Sequence, residues 1–162
     1  MFIPGGIAER ERMEPKMLEK MKAIVREKNL CVLATVSGGK PHCSLMSYVS
    51  DEEGHEIYMT SHRKTKKFSN LTANPSVSLL IDTREEDRGS KRANVKALTV
   101  EGEFQKIDDL ARKDLIRERL LRTHPHLIDF IHDPDAEIFS IKVKSFQLLD
   151  GVKNSYFEKV GR

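Results

Sequence analysis

Along the first eighty residues the spacing of apolar side chains changes from three-and-four to two, and that change marks where helix gives way to sheet. From Glu14 to Lys28 the apolar positions are Met17, Leu18, Met21, Ile24 and Val25, one stripe of an amphipathic helix. The next run, 30–37 (LCVLATVS), predicts a strand, ended by Gly38-Gly39-Lys40-Pro41. Two consecutive glycines can take the positive φ angles of a tight hairpin, so 42–49 should return antiparallel. Asp51-Glu52-Glu53-Gly54 makes another turn, and 55–61 completes a meander.

A short helix is expected over 65–72, closed by Asn74-Pro75, because proline lacks a donor and holds the preceding residue out of the helical region. Strands follow at 76–82 and 94–107, the second with Gly102 inside it, which suggests a bulge or a close backbone approach. Between them 83–93 (TREEDRGSKRA) is polar and charged: a solvent loop or a lid. Asp108 or Asp109 should cap a helix with Leu110, Leu115, Ile116, Leu120 and Leu121 on its apolar side. Thr123-His124-Pro125 ends it and opens a shorter helix, HLIDFI, before a last long strand at 137–149 and a further extended stretch at 152–160. Six strands in hairpin-length succession favour a mainly β, antiparallel barrel with flanking helices over alternating βαβ units.

Composition narrows the picture only a little. At 162 residues the chain is most simply one domain, 14–162, behind a loose arm at 1–13 that carries Pro4, Gly5 and Gly6. A net charge of +3 implies no nucleic-acid partner, and no apolar run approaches the roughly 20 residues needed to span a bilayer. Two cysteines, Cys31 and Cys43, without a CxxC pair fit reduced thiols, and the charged start does not resemble a secretory signal; a cytoplasmic protein is expected.

The chemistry concentrates between the third and fourth strands. Arg63, Lys64, Lys66 and Lys67 fall within five positions, beside Thr60, Ser61 and Thr65. Ammonium groups, hydroxyls and the unpaired N–H groups of a helix start can all turn to one anion, and a phosphate-bearing ligand suits them. His124, His126 and His132, with Asp133 and Asp135, have no compact metal-ligand spacing and read as exposed histidines of a helix-start loop, so no metal site is expected. Cys43 reads as a small hydrophobe, and Tyr156 and Phe157 as either core residues or a stacking lid.

The order strand, GGKPH turn, strand, DEEG turn, strand ending YMTS, then K-x-x-N-L-x-x-N-P-x-V-S-L resembles the FMN-binding split-barrel family, the superfamily of pyridoxamine 5′-phosphate oxidase. The match is best from Leu30 to Asp82, and most specific in KFSNLTANPSV (67–77). The resemblance implies a six-stranded split barrel and a homodimer with FMN in a groove at its interface. It also assigns roles. Thr60 and Ser61 would bond the flavin or its ribityl phosphate end, Thr65, Lys66 and Lys67 would hold the phosphate, and Ser44, Leu45 and Met46 would follow the isoalloxazine ring. Cys43 and Tyr48 stand where the oxidase itself carries arginine and lysine, and its basic, tryptophan-containing C-terminal segment has no counterpart, which disfavours vitamin B6 oxidation. The expected activity is hydride exchange between flavin N5 and a small molecule, with no side chain marked as general acid or base. Two alternatives stand beside it: a non-catalytic flavin- or haem-binding module, and a deazaflavin-dependent reductase on the same fold.

Overall fold

The computed structural model describes the backbone of residues 7–161 and the side chains of residues 16–161. The first helix, α1 (Ile7–Glu27), begins seven residues ahead of Glu14, so the expected loose arm overlaps it from Ile7 on, and 1–6 lie outside the described residues. Its predicted stripe does turn inward. Met21 and Val25 are fully buried, and Met17, Leu18 and Ile24 pack on the same core.

A single antiparallel sheet follows: β1 (Leu30–Ser37), β2 (Lys40–Ser47), β3 (Val49–Ser50), β4 (Glu56–His62), β5 (Ser76–Asp82), β6 (Lys96–Lys106), β7 (Ala136–Asp150) and β8 (Asn154–Lys159). Its order is β2-β1-β5-β6-β7-β4-β3, with β8 also on β7. The helices α2 (Lys66–Ala73), α3 (Leu110–Thr123) and α4 (Ile128–Ile131) lie between strands. This curled sheet with flanking helices is a split barrel with eight strands where six were expected. Two local events account for the difference. The run 42–49 breaks at Tyr48, whose ring enters the core and whose hydroxyl donates to the Val25 carbonyl at 2.9 Å, leaving Val49–Ser50 as a separate strand. The stretch after Gly151 also folds back, as β8, on the second half of β7.

The fifteen residues of β7 organise the rest. One edge pairs with β6 along 139–150, while the other takes β4 along 136–142 and β8 along 145–150. Gly102 carries the predicted irregularity, a register shift between Glu101 and Gly102. A Cβ there would meet Ile141 Cγ2 at 2.6 Å and the Lys142 carbonyl oxygen at 2.8 Å, so only glycine fits without displacement.

The barrel core takes Leu33, Ile57, Met59, Leu79, Ile81, Leu98, Phe139 and Phe146, among others. A second cluster, with Tyr58, Ile116, Leu120 and Ile138, lies under α3. Because β4 is covered by the barrel on one face and by α3 on the other, all its residues from Ile57 to Ser61 are buried. On α3 itself, Asp109 caps the first turn by accepting from Arg112 N, as expected. Leu110 and Leu115 nevertheless point outward (74% and 63% exposed), because only the Ile116–Leu120 spacing faces the sheet. Among the described residues no helix is long and apolar enough to cross a membrane.

Candidate functional site

The basic turn is held in shape by its own hydrogen bonds. Thr65 takes an extended backbone (φ −99°, ψ 156°) and its Oγ1 accepts the N–H of Phe68, the capping geometry of an α-helix. The same hydroxyl donates to the His62 carbonyl at 2.9 Å, and Ser61 Oγ lies 3.1 Å from both that carbonyl and Thr65 Oγ1. One side of α2 is anchored by Phe68 and Leu71 in the core, and a buried bond from Asn70 Nδ2 to Thr35 Oγ1 at 3.1 Å ties the helix to β1. At its end, Asn74 leaves the helix with its N–H on the Asn70 carbonyl, and its side chain accepts from Ser76 N.

The four cations divide into two pairs with different partners. Arg63 donates to Glu137 Oε2 at 2.6 Å and to the Pro134 carbonyl at 2.5 Å, and Lys64 lies 3.4 Å from Asp135 Oδ2. Lys113, from α3, donates to the other Glu137 oxygen at 2.6 Å. Burial alone would raise the Glu137 carboxyl, but the bonds from Lys113 and Arg63 outweigh it and hold the group below its ordinary range. Lys66 and Lys67 have no salt bridge among the described residues; the first is exposed and the second half-buried. They are also the first two residues of α2, where backbone N–H groups have no acceptor within the helix. Two ammonium groups and a helix start without an acidic neighbour make a suitable receptor for an anion.

The other predicted residues are treated unequally. Thr60 is buried and its hydroxyl donates to the Glu137 carbonyl at 3.1 Å, while Ser61 is wholly buried, so in the single chain both hydroxyls serve to shape the turn. Strand alternation splits Ser44, Leu45 and Met46. Met46 is buried in the barrel and Ser44 half-buried on the same face, whereas Leu45, 73% exposed, stands on the opposite one. β2 is an edge strand, paired only with β1, and it touches α2 and β4 without a ladder to either. The structure therefore sets α2, with Lys66 and Lys67 at its start, against β2, and directs Leu45 to the face opposite Ser44 and Met46.

Sequence reasoning missed the acidic frame of the turn, Asp133, Asp135 and Glu137. Their alternation at the start of the last long strand was the available signal, since β4–β7 pairing sets Ser61 opposite Glu137. It also misjudged His124, which is buried with Nε2 3.0 Å from the Tyr48 carbonyl; the chain needs a polar group under α3 to satisfy that oxygen. His126 and His132 are exposed. His62 stacks on Phe130 (centroids 4.2 Å apart, 6° between planes), with Nε2 buried, unbonded, and 3.9 Å from Asp133 Oδ2. Cys43 is exposed, not a core residue, while Tyr156 packs on the core and Phe157 is 59% exposed. Among the described residues there is no group of three or more metal-ligating side chains.

Residues 17–150 match the family model described as pyridoxamine 5′-phosphate oxidase, which covers most of the chain; the protein belongs to that family of split-barrel proteins. No curated protein matches it. Among solved structures, a heme binding protein from Mycobacterium smegmatis is similar at 16% identity and a TM-score of 0.77, over 98% of this chain and 60% of its own. The chain thus spans somewhat under two thirds of that protein's length. A FAD-binding protein from Mesorhizobium loti is similar at 21% identity and a TM-score of 0.64, covering 80% of this chain and 91% of its own. HutZ, the heme storage protein from Vibrio cholerae, is similar at 19% identity and 0.66, covering 82% and 93%. At these identities the likeness is one of fold.

Proposed function

We propose that the protein is an FMN-binding flavoprotein that works as a homodimer and exchanges a hydride between its flavin and a small molecule. The observation that carries this reading is the division of the four cations. Arg63 and Lys64 are tied to Glu137 and Asp135, while Lys66 and Lys67 remain uncommitted at the start of α2, where a ribityl phosphate can meet two ammonium groups and two backbone N–H groups. Thr65 holds that helix start, Thr60 and Ser61 brace it from below, and Ser44 and Met46 lie on the free-edged strand along which the ring would run. The flavin, when bound, supplies the hydride exchange at N5. Dimerisation is supported by the outer face of the sheet. Leu45 faces Val32, Val32 faces Leu80, and the row continues through Thr99 and Gln147 to Phe157, with Leu30 and Leu149 exposed beside it. Such a face suits a second copy.

FMN titration followed by flavin fluorescence tests the assignment. Each charge-assisted bond contributes roughly 1.5–3 kcal/mol, so Lys66→Ala and Lys67→Ala should each weaken FMN by roughly tenfold or more, and Lys64→Ala by less than about twofold. Equal losses at all three positions would place the phosphate elsewhere. Oxidation of NAD(P)H with an added acceptor separates an enzyme from a carrier. A haem-binding role has the support of two similar folds that bind or store haem, and haem carboxylates could use the same lysines. A Soret band in the purified protein would favour it. A deazaflavin coenzyme, also phosphate-bearing, would be told from FMN by the mass of the co-purifying molecule.

A further inference from the structure

One edge of β7 changes partners midway, and a cleft of about 560 Å³ opens where it does so. The β4 ladder ends at the Glu56–Lys142 pair, and the β8 ladder ends at the Lys159–Ser145 pair. Both strands run antiparallel to β7, so the end of β8 abuts the start of β4 along one edge. One segment departs from that edge at Val160, whose N–H donates to the Lys144 carbonyl at 2.9 Å. The other joins it at His55, whose carbonyl accepts from Val143 N at 2.9 Å. The opposite edge of β7 is irregular at the same place. β6 pairs Glu101 with Ser145 and Gly102 with Val143, which leaves Lys144 as the extra residue of a bulge. Bulges re-aim the side chains they carry.

The charges lining the cleft are committed unequally. Asp51 Oδ1 accepts the N–H groups of His55 at 2.8 Å and Glu56 at 3.1 Å, and Glu56 is ion-paired with Arg112. Lys144 lies 2.5 Å from Glu103 Oε2. Lys142 stands between Glu56 and Glu103 in the ladders, but each of those carboxylates is bonded to another cation. Lys142 and Lys159 thus have no salt bridge among the described residues, and the half-buried His55 ring has no hydrogen bond among them.

We infer that this cleft binds a small dianion, a phosphate monoester or a dicarboxylate. Two ammonium groups and an imidazole offer it charge-assisted bonds, and Val143, Val160 and the lysine stems supply an apolar wall. The volume falls within the roughly 300–1,000 Å³ of small-molecule pockets. A cation would meet three lysines and find both lining carboxylates occupied. The α2 turn lies at the other end of β4, about 20 Å along the strand from Glu56, so the two anion receptors do not share a ligand. None of the cleft's residues belongs to the apolar row assigned to a second copy. The inference goes beyond the flavin reading and does not rest on it.

The test titrates the full chain with inorganic phosphate, succinate and the monoanion acetate, at protein concentrations that span dimerisation. NMR follows the His55 ring and the Val143 and Val160 methyls. Phosphate or succinate should give saturable shifts at these groups, the tighter of the two naming the anionic group, and acetate should bind at least about threefold more weakly. Lys142→Gln and Lys159→Gln, at exposed positions, should each weaken the tighter dianion about threefold or more. Glu103→Gln frees Lys144 and removes a carboxylate beside Lys142, so it should tighten binding about twofold or more, a gain that misfolding does not produce. Absence of saturable shifts at the three groups would overturn the inference even if a variant fails to fold. So would equal affinity for acetate and the dianions, failure of both the lysine losses and the Glu103→Gln gain, or loss of the shifts as two copies associate. FMN titration is read separately: these shifts without FMN binding would leave the cleft standing and remove the flavoprotein reading.

Discussion

Replacing Glu137 by alanine tests whether the acidic frame orients the basic turn. The carboxylate accepts from Arg63 and Lys113, each at 2.6 Å, and is itself only 20% exposed. A charge-assisted bond contributes roughly 1.5–3 kcal/mol, and the Lys113 side chain, 21% exposed, justifies the lower end, about 1.5. Arg63 is 45% exposed, and solvent screening reduces its share to about 0.5 kcal/mol. Glu137→Ala should therefore cost about 2 kcal/mol, or roughly 4–8 °C in Tm for a chain of this size. The folded carboxyl is held below its ordinary range, so its contribution is complete above the unfolded value of about 4.3 and is lost as pH falls through the folded one. Urea titrations of both proteins should thus show a constant gap from pH 7 down to about 5, closing in acid. Lys113→Ala combined with Glu137→Ala should cost less than the two separate losses added together. A neutral-pH gap under about 0.5 kcal/mol, or one undiminished in acid, would refute the view that Glu137 works through these two cations.

Three further substitutions probe the scaffold. Gly102→Ala forces a methyl against the Lys142 carbonyl and the Ile141 side chain and should cost about 1–3 kcal/mol by chemical denaturation; a neutral result would mean that β6 slides freely there. Asn70→Ala strands the buried Thr35 hydroxyl and loosens α2, which should cost about 1–3 kcal/mol and speed amide exchange across α2 relative to β1. Tyr48→Phe leaves the Val25 carbonyl without its donor and should lower stability by about 1 kcal/mol, with the same loss at every pH from 6 to 9 because burial keeps the phenol far above its usual range.

Much of the barrel was legible because its cues are local. β1 and β5 have the predicted limits, Asp109 caps the helix it precedes, and Gly102 sits at the register shift. Alternation, caps and glycine placement report on a residue and its near neighbours, and tertiary structure seldom overrides them all together. The errors have the opposite origin. Leu110 and Leu115 fit a helical stripe as well as Ile116 and Leu120 do, and only the placement of the sheet decides which pair is covered. The break at Tyr48 depends on Val25 and His124, far away in sequence, so no window along the chain contains its cause.

The candidate site combines both kinds of information, so the sequence shows a cluster of cations but not which of them are tied to carboxylates. Five positions hold four cations, and composition treats them as equivalent. β4–β7 pairing makes them different, because setting Ser61 opposite Glu137 places one carboxylate within reach of Arg63, and continuing the ladder through Arg63 N to the Asp135 carbonyl brings a second to Lys64. Lys66 and Lys67 come after the chain has turned into α2 and escape that acidic edge. On β2, strand alternation sends Leu45 through to the far face, away from Ser44 and into the outer apolar row of the sheet. One ladder register thus sorts a run of similar residues into cations tied to carboxylates and cations with no ion pair among the described residues. A one-residue slip in either strand would exchange those roles while leaving the composition of the turn unchanged.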